Sequence, residues 1–109
     1  MKKRILKNIF GNLPQRSLNK EIFETLVQNN NIRIERIIST GQATPEGKWY
    51  DQEQDEWVML LQGHATLLFE NKSEINLMPG DYIFIEAHKK HRVSWTRPDE
   101  VCVWLALHL

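Results

Sequence analysis

The segment EWVMLLQG, Glu56 to Gly63, closes an acidic run and opens an apolar one, and its reading decides the fold. Before it, Asp51, Glu53, Asp55 and Glu56 crowd together, and Trp57 to Leu61 follow without a charge. Glu56 shares the alternation of Val58 and Leu60, so in a strand these three side chains share one face. A glutamate at the end of a turn is ordinarily solvated. On the inner face of a barrel, an unpaired carboxylate is costly, and a metal or a cationic partner is the natural compensation. The inward reading is favoured, and Glu56 is assigned to the strand.

Working outward, short β-prone segments recur between turn signals. Ile32 to Ser39 reads as a strand, and Gly41 to Gly47, with Pro45, as a loop. Lys48 to Gln52 and Glu56 to Gln62 read as strands joined by the acidic turn. Ala65 to Glu70 alternates through Ala65, Leu67 and Phe69, and Asn71-Lys72-Ser73 is a hairpin turn. Glu74 to Met78 leads to Pro79-Gly80, a strong turn dipeptide. Asp81 to Ile85, His91 to Thr96 and Val101 to Leu107 complete the set. Many short strands at fairly even spacing predict an antiparallel all-β sandwich or closed barrel. Ahead of them, SLNKEIFETLVQ (17–28) predicts one short helix, capped by Ser17 or Asn19, with Ile22, Phe23, Leu26 and Val27 as its apolar face. The expected organisation is an N-terminal arm and helix over 1–31 and a β-barrel over 32–109, one domain overall.

Composition narrows the partners. The 109 residues carry 14 Lys and Arg against 14 Asp and Glu, a formal net charge of zero. The one basic cluster, MKKR at 1–4, is too short for a nucleic-acid footprint, so no nucleic-acid partner is expected. No apolar run approaches the ~18 residues of a membrane span, so no membrane partner is expected either. A signal peptide is not expected, because no long apolar core follows the first positive charges. Cys102 is the single cysteine. It excludes an internal disulfide and a Cys-rich zinc module, and a cytoplasmic location is expected.

Two segments together resemble the cupin superfamily. Glu56 to Gly63 matches the end of its first motif, a glutamate, six residues and a glycine. Gly80-Asp-Tyr-Ile-Phe-Ile85, leading through Glu86 to Lys90 to His91, matches the second, and Pro79-Gly80-Asp81 is its usual entry. The likeness spans roughly residues 39–107. It implies an antiparallel jelly-roll barrel with a site in its mouth that usually holds a divalent metal. The His-x-His of the full first motif is missing, and Tyr50 and Gln52, or Trp49 and Asp51, stand there instead. Where the second motif usually has proline and glycine, this chain has Glu86 and His88.

On that resemblance the metal candidates are Gln52, Glu56, His88 and His91, a mixed N/O set suited to zinc, iron, nickel or manganese. Tyr50, Tyr82 and Trp95 are candidates for lining a small-molecule ligand site. His64 and His108 read as surface residues. Cys102 has no adjacent base and is not expected to be a nucleophile. The expected function is a barrel binding a divalent metal and a small organic ligand, possible as an isomerase or dioxygenase. Two alternatives stand: a metal-free metabolite-binding or sensing module, and an interaction scaffold. The terminal VCVWLALHL is apolar on both faces, which predicts a homodimer with Trp104 as the interface anchor, against a central strand covered by its own chain.

Overall fold

The computed structural model describes residues 4–109. Eight strands are present: β1 (Ile22–Gln28), β2 (Arg33–Ser39), β3 (Glu56–Gln62), β4 (Ala65–Phe69), β5 (Glu74–Leu77), β6 (Tyr82–Ile85), β7 (His91–Thr96) and β8 (Cys102–His108). They form two facing antiparallel sheets, β1-β2-β8-β3-β6 and β5-β4-β7. This is the jelly-roll arrangement expected of the repeated short strands. Side chains of alternating parity fill the space between the sheets. Val58, Leu60, Ala65, Leu67, Phe69, Leu77, Ile85, Cys102, Trp104 and Ala106 make one continuous core.

Residues 17–28 are not helical. Residues 22–28 form β1, the edge strand of the larger sheet. Twelve residues containing Ser, Asn and Thr are short for a helix, which is marginal at that length without tertiary support. The support here favours extension. Asn29 turns the chain, its Oδ1 accepting from the N–H groups of Asn31 and Ile32. β1 then pairs with β2, placing Ile22 opposite Ile38 and Phe23 opposite Ile37. Glu24 meets Arg36, and their side chains lie 2.7 Å apart. The same guanidinium donates to the carbonyls of Ile9 and Gly11, tying the N-terminal arm to the sheet.

The apolar C-terminal strand has a similar explanation. β8 lies centrally, paired with β2 along one edge and β3 along the other, and each of its residues is buried or half-buried. Trp104 points inward, is buried, and donates from its indole N–H to Ser39 Oγ at 3.3 Å. Its ring is used within its own chain and is not an interface anchor.

Gly63 closes the β3–β4 turn with φ of +95°, a left-handed conformation that favours glycine. A Cβ there would lie 2.9 Å from Cys102 Cα and 2.5 Å from its Sγ. Gly63→Ala therefore combines backbone strain with overlap against a central strand, and about 2–4 kcal/mol of stability should be lost in urea unfolding. Gly47, also left-handed but with nothing within 4 Å of a built Cβ, should lose only the strain, about 1–2 kcal/mol, as Gly47→Ala. Equal losses at the two positions would show that packing on Cys102 contributes nothing.

Candidate functional site

Register brings the polar residues together at one end of the barrel. Glu56 opens β3, opposite Ile85 at the end of β6 and His108 at the end of β8. His91 opens β7 in the facing sheet. Residues 48–52 do not form a named strand; the segment joins β7 through a bridge between Tyr50 and His91, with Tyr50 N–H donating to His91 O at 2.8 Å. Gln52 O accepts from His88 N–H at 2.8 Å and fixes the next residue pair. Tyr50 and Gln52, two apart, both line the resulting cleft. It opens to solvent, and its free space counted out into that opening is about 550 Å³. Ile37, Val58, Leu67, Ile85, Val93 and Trp104 supply its apolar wall.

Glu56 answers the question raised by its sequence. It is 7% exposed and faces inward. Its acidic neighbours have other tasks. Asp51 pairs with His88 Nδ1 at 2.9 Å, and Asp55 accepts from the Ala87 N–H at 2.8 Å. Glu56 Oε1 lies 3.4 Å from His91 Nε2, and Oε2 lies 4.0 Å from His108 Nε2. His108 Nε2 in turn sits 2.7 Å from Glu35 Oε1. Two carboxylates and two imidazoles thus form a chain, Glu35–His108–Glu56–His91, along the cleft wall.

Tautomers follow from the partners. His91 Nδ1 is 2.9 Å from the Lys89 carbonyl, so Nδ1 carries the proton and donates. In neutral imidazole that leaves Nε2 as an acceptor aimed at Glu56, a lone pair facing a carboxylate. A cation resolves this, either a proton or a metal ion. Burial lowers the His91 pKa, but the Glu56 carboxylate and the Lys89 carbonyl outweigh it, and the net shift is upward from 6.5. Burial, then the charges of Glu21 and Glu56, raise the Tyr50 phenol above its ordinary value of 10.0. Burial also raises the Glu21 carboxyl, with a Ser39 hydrogen bond working against it. Cys102 is buried, and burial raises its thiol, so it stays a packing residue.

Of the residues singled out in the sequence, Tyr50, Gln52, Glu56 and His91 converge on the cleft. The other three do not. His88 takes φ of +63° in the turn before β7, and its ring, 65% exposed, is held by Asp51 on the surface. Tyr82 is 64% exposed on β6 and lies against Trp57, ring centroids 5.3 Å apart. Trp95 has the parity of His91 and Val93, but a bulge intervenes: Leu67 pairs with Val93 and Thr66 with Trp95. The extra residue, Ser94, turns Trp95 outward and buries Thr96 in its place. His108, read as a surface residue, is 3% exposed. Its parity with Trp104 and Ala106 was the available signal, as was that of Glu35 with Ile37. Glu21 also lines the cleft and had no sequence signal.

The metal implied by the fold can be tested against these donors. Gln52 Oε1 is buried without a hydrogen-bond partner and lines the same cleft as Glu56 and His91. The Lys89 carbonyl accepts from His91 Nδ1 and fixes the ring with Nε2 toward the cleft, as a backbone carbonyl commonly does for a metal-ligating histidine. Two donors held about 2.1 Å from a tetrahedral ion lie about 3.4 Å apart. That is the separation of Glu56 Oε1 and His91 Nε2, and it is long for a hydrogen bond. Among the described residues no three His, Cys, Asp or Glu side chains close on one point, so a third protein donor in this cleft would have to be the Gln52 amide. A carboxylate, an imidazole and an amide oxygen fit a divalent ion.

Comparison with known proteins agrees with this architecture. The cupin domain family model matches residues 37–108, and the chain belongs to the cupin superfamily. A crystal structure from Ralstonia eutropha JMP134, provisionally named a mannose-6-phosphate isomerase, is 43% identical, with TM-score 0.91, covering 96% of this chain and 97% of that one. A cupin superfamily protein of Desulfitobacterium hafniense superposes with TM-score 0.73 at 22% identity, covering 89% and 83%. Hydroxypropylphosphonic acid epoxidase from S. wedmorenis shares the fold at TM-score 0.71 and 17% identity, covering 86% of this chain and 53% of that one. Structures of this epoxidase with iron(II) and cobalt(II) share the fold likewise. No functionally curated protein matches the chain.

The His91 contact has a measurable pH signature. The folded protein holds this proton more tightly than the unfolded chain. Its stabilising contribution is therefore full below pH 6.5 and is lost as pH rises through the raised folded value. In chelator-treated protein, the urea-midpoint advantage of wild type over His91→Gln should narrow as pH rises from about 6 to about 8.5. A gap independent of pH would mean that Glu56 does not hold the proton.

Proposed function

We propose that this cupin binds a divalent metal ion through Glu56, His91 and Gln52, and a small organic ligand in the cleft beside it. The observation that carries the reading is the 3.4 Å separation of Glu56 Oε1 from His91 Nε2, with the unpartnered Gln52 oxygen in the same cleft. Glu56 supplies charge, His91 a fixed nitrogen donor, and Gln52 a neutral oxygen. His88 is no part of the set. A bound ion supplies Lewis-acid polarisation of a ligand oxygen. The enzyme form of the proposal is an isomerase or dioxygenase acting on a small molecule. The apolar wall and Tyr50 orient the ligand and exclude water, while the Glu35–His108 pair can hold a proton at the cleft wall.

A second reading, a metal-free metabolite-binding or sensing module, is favoured by one observation. No three acidic or imidazole side chains close on a point, and Tyr50 and Gln52 replace the paired histidines. A homodimer is also proposed, now resting on Tyr82 and Phe84, both exposed on edge strand β6. Sedimentation velocity at micromolar concentration should show a dimer; a monomer there removes the idea. A cytoplasmic location accords with a free, buried Cys102.

Metal content of untagged protein and calorimetric titration with Zn²⁺ or Mn²⁺ test the main reading. His91→Ala should weaken binding by more than about tenfold while the barrel stays folded, and Gln52→His should tighten it. His88→Ala should leave affinity unchanged. If wild type takes up no divalent ion at neutral pH, the metal reading fails and the metal-free module takes its place.

A further inference from the structure

Hydrogen-bond capacity in the cleft is one-sided. Gln52 Oε1 is a buried acceptor with no partner. His91 Nε2 is an acceptor while the ring is neutral, because Nδ1 faces the Lys89 carbonyl. Both Glu56 oxygens stand off their imidazole neighbours, at 3.4 and 4.0 Å. The carboxylates of Glu21 and Glu35 line the same walls. Two donors at the cleft wall are spent, His108 Nε2 on Glu35 at 2.7 Å and Ser39 Oγ on Glu21 at 2.6 Å. The Tyr50 hydroxyl and Gln52 amide N–H groups are fewer than the acceptors they face. Among the described residues no lysine or arginine lines the cleft. Arg33, which does not line the cleft, has a buried Nε with no hydrogen-bond partner, 3.8 Å from Glu35 Oε2.

From this excess of acceptors we infer that the cleft takes a small molecule rich in hydrogen-bond donors and free of anionic groups, and discriminates against phosphorylated compounds. The inference rests on the reading of the barrel mouth as a ligand site and specifies its ligand chemistry. Buried acceptors without donors are costly, and a ligand bearing hydroxyl or ammonium groups satisfies them. Phosphate oxygens at neutral pH are acceptors, and proteins hold them with Arg, Lys or backbone N–H groups. A phosphate here would meet three carboxylates instead. The apolar and aromatic wall, with Trp104 and Tyr50, suits the C–H faces of a ring-shaped polyol. This ligand class departs from the phosphosugar that the name of the Ralstonia relative suggests.

The test uses matched probes: D-mannose, D-mannose 6-phosphate and D-mannosamine, with the same three forms of a pentose and of a cyclic polyol. Affinities are measured by calorimetry and ligand-observed NMR at about pH 7.5, on chelator-treated and on metal-loaded protein. In the chelator-treated protein, where these acceptors are free, the phosphorylated member of each set should bind at least about tenfold more weakly than its uncharged or amine counterpart. Glu21→Gln, which removes a charge and keeps an acceptor for Ser39, should narrow that ratio severalfold. Tighter binding of the amines would identify ammonium as the donor, and tighter binding of the uncharged members would identify hydroxyl; either supports the inference. A phosphorylated probe that binds as well as or better than its counterparts overturns it, as does failure of every uncharged and amine probe to bind. Metal titration is read separately, so loss of the metal reading leaves the chelator-treated comparison intact.

Discussion

A carboxylate held inside an apolar barrel is the constraint around which the site is arranged. Glu56 belongs to a strand whose other inward residues, Val58 and Leu60, are core, and its pairing with β6 and β8 leaves it no rotation toward solvent. Desolvation of such a group is expensive unless its lone pairs are met. The fold brings strand ends round it, His91 from the opposite sheet at 3.4 Å and His108 from the adjacent strand at 4.0 Å, with Gln52 in the same cleft from the segment laid along β7. Each partner arrives by backbone register, so the site is as rigid as the sheets that carry it.

The same constraint explains the surrounding turns. Asp51 and Asp55 do not compete for the cleft, because one is occupied by His88 and the other by the Ala87 N–H. Those two contacts close the 51–56 segment over the turn preceding β7 and hold Gln52 where its oxygen has no partner. The acidic run, which looks uniform in sequence, therefore divides into carboxylates that shape the mouth and one that faces into it. The Glu35–His108 pair extends the network into the second layer of the larger sheet. A buried imidazole thus stands between two carboxylates at the wall of the ligand space.

Glu21 shows the energetic tension of such a cleft. Burial raises its carboxyl pKa, so ionising it at neutral pH works against the folded state. Ser39 compensates in part by donating its hydroxyl, and Ser39 is itself fixed by the Trp104 indole. A large core aromatic and a cleft acid are thereby coupled through one small side chain. Residues that oppose stability while lining a cavity concentrate at functional sites.

Much of this was legible locally. The strand from Glu56 to Gln62 and the Pro79-Gly80 turn follow from two-residue alternation and turn chemistry, which act between near neighbours in the chain. Tyr50 and Gln52 shared a face on the same grounds. The pairing of Glu56 with His91 came from the resemblance to the cupin motifs. What local pattern could not supply was long-range pairing. An apolar segment with helical spacing became an edge strand because β2 offered it hydrogen bonds and Arg36 offered Glu24 an ion pair. Parity placed Trp95 inside, and a single bulged residue, visible only in the pairing with β4, turned it out. His108 looked terminal and solvated until β2 and β3 closed on both sides of it. Sequence by itself determined which residues alternate, where the chain turns and most of the strands from Ile32 onward, because those depend on backbone geometry within a few residues. Only the tertiary structure decided which alternating faces meet, since that depends on register between strands far apart in the chain, and a shift of one residue exchanges inside for outside.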